Sequence, residues 1–80
     1  MTNVDRFCEA YQEELTRAVV ERPEEYAYPV AEVPAVVERM RAAFIRGSFN
    51  HDGLAIRRTA KRLGLKPTRG ALLAFFQGGA

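Results

Sequence analysis

The chain has no tryptophan, one cysteine, Cys8, and one histidine, His51. A lone cysteine closes no internal disulfide, so the fold gains no covalent staple and the composition fits a reducing compartment, the cytoplasm. One cysteine and one histidine, with acids scattered along a helix face, fall short of any zinc spacing. Long apolar runs are also missing. The longest, Ala71 to Phe76, is far below the roughly 18–20 residues that a membrane-crossing helix needs. The opening Met-Thr-Asn-Val-Asp-Arg lacks the basic-then-apolar pattern of a signal peptide. What remains is an 80-residue chain that fits one small domain, 1–80. At that size about 60–65% of the unfolded surface is buried, so the core is thin.

The charge is unevenly placed. Residues 1–40 hold four arginines against nine acids, a net of −5, while residues 41–80 hold eight Lys and Arg against Asp52 alone, a net of +7. Either the basic half meets an anionic partner, nucleic acid first, or the two halves complement one another within the fold.

Apolar residues recur at helical spacing. Val4, Phe7, Cys8, Tyr11, Leu15, Ala18 and Val19 draw one stripe over residues 3–21. Thr2 and Asp5 form a capping box at its start, and Glu13 stands four residues before Arg17 as an exposed pair. Pro23, Pro29 and Pro34 bound a linker, 23–33, whose Tyr26 and Tyr28 pack over the bundle. A second helix spans 34–46, with Val33, Val37, Met40 and Phe44 inward and Val36, Ala43 and Ile45 flanking, and stops at Gly47. After a loop in which Asn50 or Asp52 serves as N-cap, a third helix runs over 53–63 with Ile56, Thr59, Ala60 and Leu63 inward. Gly64-Leu65 ends it. Thr68 caps a fourth helix over 69–77. The fold class is therefore all-α: a small four-helix domain.

Catalysis finds little to work with. His51 and Asp52 are sequence neighbours in a loop, and Cys8 falls on an apolar stripe. The glycines lie in separate contexts rather than in a phosphate-binding loop. No catalytic, cofactor or metal residue is assigned, and the chain reads as non-enzymatic.

The segment Ala60-Lys61-Arg62-Leu63-Gly64-Leu65-Lys66-Pro67-Thr68 resembles the hinge of helix-turn-helix DNA-binding domains. In that motif an Ala packs between two helices, a glycine makes the turn and a Thr caps the reading helix, so the last two helices are expected to form a C-terminal helix-turn-helix-like hairpin. Two features depart from it. The turn is about one residue short, and the fourth helix offers only Arg69 and Gln77 to base edges. Its Leu72, Leu73, Phe75 and Phe76 instead suggest core or the face of a homodimer.

The chain as a whole resembles the small helical proteins of phages and prophages. The resemblance rests on Pro-Glu-Glu-Tyr-Ala-Tyr-Pro, Arg-Gly-Ser-Phe-Asn and Arg-Leu-Gly-Leu-Lys-Pro-Thr. It implies a binding protein of the anti-CRISPR or anti-defence type, acting in the host-cell cytoplasm on a host protein or nucleoprotein complex. A duplex-DNA-binding regulator is the alternative. In either case the expected contact residues are Arg57, Arg58, Lys61, Arg62, Lys66 and Arg69. Because exposed charges contribute little to stability, reversing Arg58 and Arg62 is expected to spare the fold.

Overall fold

A computed structural model describes residues 1–78 and, among them, four α-helices and no strand. They are α1 (Asn3–Glu21), α2 (Val33–Arg46), α3 (Leu54–Arg62) and α4 (Arg69–Gly78). Two single 3-10 turns, Pro23–Glu25 and Val30–Glu32, shape the linker between α1 and α2. Prolines at its turns and ends deny that segment a continuous helix. No helix among the described residues is long and apolar enough to cross a membrane.

The longest helix, α1, is the one on which the others pack. It starts where Thr2 Oγ1 accepts the Asp5 N–H and the Asp5 carboxylate accepts the Thr2 N–H, each at 3.1 Å. This reciprocal pair satisfies two backbone donors that a helix start would otherwise leave open. All seven residues of its apolar stripe are buried. Phe7, fully buried, meets Phe44 of α2 at 5.1 Å and Phe76 of α4 at 5.0 Å, edge-on in both cases. Phe44 and Phe76 stack at 4.8 Å, and Phe49 from the loop after α2 lies 5.5 Å from each. One aromatic cluster thus ties three helices together with geometries that suit the ring quadrupole.

On α3 the inward residues are Ala55, Ile56, Thr59 and Ala60. Three of the four are small, which lets α3 run close along α1. The buried Thr59 hydroxyl is satisfied by donating to the Ala55 carbonyl at 2.6 Å. At the far end, the Asn3 side-chain amide donates to the Phe75 carbonyl at 3.0 Å, so the start of α1 closes the end of α4.

Two glycines end helices by the same device. Gly47 and Gly64 have φ of +74° and +75°. At each, the following N–H reaches back to close the last turn: Ser48 to the Ala43 carbonyl at 2.9 Å, and Leu65 to the Ala60 carbonyl at 2.8 Å. These are Schellman caps, and the left-handed residue in them is glycine because a Cβ there clashes with backbone.

The structure corrects several local expectations. Ile45 does not flank the core but is 66% exposed. Its position lies off the seam that Val37 and Phe44 share with α1. Neither Asn50 nor Asp52 caps α3: Gly53 is the N-cap, with no side-chain bond. Asn50 Oδ1 instead accepts the Asp52 N–H at 2.9 Å, a local turn that competes with capping. Arg17 pairs with Glu14 rather than Glu13. On α4, Leu72 and Phe76 are buried within the chain and Leu73 and Phe75 are half-buried. Two of the four apolar residues that suggested self-association therefore belong to the protomer's own core.

The two glycine caps differ in what surrounds them. A methyl at Gly64 meets nothing within 4 Å, whereas at Gly47 it falls 3.1 Å from Leu73 Cδ1. Gly64→Ala is expected to cost about 1 kcal/mol through backbone strain alone. Gly47→Ala is expected to cost measurably more in urea unfolding; equal costs would show that Leu73 simply moves aside.

The cap of α1 makes a second prediction. The Thr2 backbone and side-chain hydrogen bonds, and to a lesser degree Arg41, hold the Asp5 carboxyl below its ordinary value of 3.8. A carboxyl depressed in the folded state stabilises fully above its unfolded pKa, and that contribution is lost as pH falls through the folded value. Between about pH 4 and about pH 2, the melting temperature of the wild type should therefore fall further than that of Asp5→Asn.

Candidate functional site

The expected basic patch lies on α3 and the turn after it, and α3 positions its members in two different ways. Residues one apart on a helix point about 100° apart, so Arg57 and Arg58 cannot share a role. Arg58 turns toward α1 and donates to Glu21 at 3.0 Å. One turn on, Arg62 reaches Glu13 at 3.3 Å and Glu14 at 3.4 Å. Arg57 and Lys61, also one turn apart, are exposed, and no carboxylate lies within ion-pair distance of them among the described residues. Lys66, in the turn before α4, is exposed and unpaired in the same sense.

Arg69 has a different occupation. Its guanidinium donates to the Gly47 carbonyl and to the Phe49 carbonyl, the latter at 3.4 Å, and lies 5.3 Å from the centre of the Phe49 ring. It therefore fastens the loop after α2 to the start of α4. Of the six expected contact residues, three are exposed and unpaired, two bridge α3 to α1, and one braces a loop.

Glu14 is the residue that sequence reasoning passed over. It is 5% exposed and lies between Arg17 and Arg62, both at 3.4 Å. A carboxylate can be buried there because two cations meet it. The signal was present in the spacing: Glu14 stands three after Tyr11 and four before Ala18, within the apolar stripe. A third arginine, Arg41 of α2, bridges to Asp5 of α1 and also holds Glu38 at 3.2 Å. All three arginines lie in the basic half of the sequence and their cross-helix partners in the acidic half.

The remaining titratable groups are placed as follows. Cys8 is buried, and burial pushes its thiol pKa up, which keeps it in the unreactive protonated form. Tyr11 is shifted upward for the same reason. His51 Nε2 and Asp52 Oδ1 do approach, at 3.1 Å, although they are sequence neighbours. Asp52 is well exposed, with 77% of its side-chain surface open. No group of three or more metal-ligating side chains occurs among the described residues.

No family model, curated protein or solved structure matches the chain. Its candidate site is therefore read from the division of labour among its own arginines and lysines.

That division predicts how charge reversals differ. Arg62→Glu would set a third carboxylate against Glu13 and the buried Glu14, and should cost about 1–3 kcal/mol. Arg57→Glu, on the open face one turn away, should change stability by no more than about 0.5 kcal/mol. Urea unfolding of the two variants checks the difference.

Proposed function

We propose that the protein is a non-enzymatic binding module that inhibits a host nucleoprotein or defence complex in the host-cell cytoplasm, in the manner of an anti-CRISPR. It would do so by presenting the open face of α3 to an anionic site. The observation that carries this reading is the split within one short helix. Arg58 and Arg62 are neutralised by α1, while Arg57, Lys61 and the nearby Lys66 have no acidic partner among the described residues. Complementarity between the halves of the sequence accounts for the first set and not for the second. Three exposed cations held by a short helix and its cap suit a phosphate backbone or an acidic protein surface. This reading does not require a homodimer: Leu72 and Phe76 of α4 are buried within the protomer, while Leu73 and Phe75 keep part of their surface open.

One observation favours the DNA-binding regulator as a second reading: the Gly64 cap and the Thr68 hydroxyl, which accepts the Ala71 N–H at 3.2 Å, make the turn that resembled a helix-turn-helix hinge. Against it, α3 and α4 both pack on α1, and the outer side of α4 carries Arg69, Gly70, Ala74 and Gln77. With Arg69 already engaged, that side has too few groups to read base edges.

Arg57→Glu combined with Lys61→Glu tests the proposal. The double variant should keep the wild-type circular dichroism and melting temperature and lose at least tenfold in its inhibition of the host complex. Undiminished inhibition would overturn the proposal. Binding to naked duplex DNA would favour the regulator if the slope of log affinity against log salt fell by about 1.8 in the variant, the value for two lost phosphate contacts.

A further inference from the structure

We propose that the groove between the last turn of α1 and the proline-rich linker is a second binding site, one that takes a short extended peptide containing proline and carrying Arg or Lys. The groove has a volume of about 470 Å3 and is formed chiefly by Val20, Pro23, Tyr26, Tyr28, Pro29 and Val30.

Apolar exposure is concentrated here. Among the described residues, four large hydrophobic side chains are exposed, and two of them, Val20 at 65% and Val30 at 40%, line this groove. They are not left open for want of covering material, because the linker folds back over the bundle and packs Tyr26 and Tyr28 against the core. The two rings meet edge-on at 5.8 Å and make one wall. Each ring adds a hydroxyl to an apolar surface. The Tyr28 hydroxyl, protonated at neutral pH as in any tyrosine and more so here because burial raises its pKa, can donate to a peptide carbonyl. Pro23 and Pro29 fix the backbone of the opposite parts of the groove, so little ordering is needed on binding. Aromatic-lined grooves with these properties suit polyproline segments, which are already extended and have free carbonyls.

Size and charge select the occupant. The volume lies in the range of about 300–1,000 Å3 typical of sites for small ligands. Residues 21–32 carry Glu21, Glu24, Glu25 and Glu32 against Arg22 alone. Arg22 is engaged by Glu25 at 3.6 Å and Glu21 by Arg58, which leaves Glu24 and Glu32 exposed on the two 3-10 turns. Arg39 of α2 is near enough to Tyr28 to oppose part of the upward shift that burial causes. A peptide with a basic residue beyond its proline core can reach the turn carboxylates. The charge preference is opposite to that of the α3 face, so the two sites stand or fall separately.

The test is amide chemical-shift mapping on the full chain with two synthetic peptides. Both alternate proline and leucine; one ends in arginine at each terminus, the other in glutamate. The arginine peptide should shift the amides of Val20, Ala27, Tyr28 and Val30, and should bind at least fivefold more tightly than the glutamate peptide. Val20→Lys, at an exposed helix position, should keep the wild-type melting temperature and weaken the arginine peptide at least tenfold. Arg57→Glu with Lys61→Glu should leave it unchanged. No shift at millimolar peptide would overturn the proposal. So would equal binding of the two peptides, shifts centred on α3, or the same shifts produced by raising protein concentration without peptide.

Discussion

The contact of Phe7 with Phe44 and Phe76 is the constraint on which the rest of the structure depends. A thin core has few residues with which to define the angles between helices, and here one fully buried ring from α1 meets edge-on both a ring from α2 and a ring from α4, which stack on each other. Edge-to-face geometry fixes orientation as well as distance, which a cluster of aliphatic side chains does less well. Once α2 and α4 are set by this contact, Gly47 must turn the chain sharply so that Phe49 can return to the same cluster. Arg69 then holds that loop in place from the start of α4.

Helix α3 is held on a different principle. It contributes no aromatic ring to the cluster and lies on α1 through small side chains and two arginine bridges. The buried Glu14 makes the arrangement asymmetric, because a carboxylate in that position depends on its cations more than they depend on it. Helix α3 therefore can be basic on both sides for two reasons: one side serves the fold, and the other faces solvent. The charge asymmetry between the halves of the sequence has the same double origin. Part of it is internal complementarity, in Arg41 with Asp5 and in Arg58 and Arg62 with α1. Of the remainder, Arg46, Arg57, Lys61 and Lys66 are surface, and Arg69 braces the loop after α2.

Much of the fold was legible in the residues. The 3- and 4-residue spacing of Val4 through Val19 gave α1, and the capping box of Thr2 and Asp5 gave its start. Gly47 and Gly64 gave two helix ends, because only a residue without a Cβ takes that conformation at little cost. Less of the candidate site was legible. Adjacent arginines such as Arg57 and Arg58 look alike in sequence, and the spacing says that they diverge but not which one meets an acid. The opposite face of α3 could be assigned only when α1 was seen beside it. Glu14 was missed because polar residues on an apolar stripe are ordinarily read as exceptions at its edge. That Tyr26 and Tyr28 pack over the bundle was legible, but the groove they line was not, because the linker's prolines exclude a helix without fixing how it meets the end of α1.

By itself, then, the sequence determined the all-α class, the places where helices start and stop, and the inward face of α1. Those follow from local chemistry: periodic burial, caps, and the backbone limits of proline and glycine. Only the tertiary structure decided which charges are internal, which aromatic rings meet, and where apolar side chains remain open. These outcomes depend on how helices distant in sequence are set against one another, as Arg62 and Glu13 are at 3.3 Å, and no local rule carries that information.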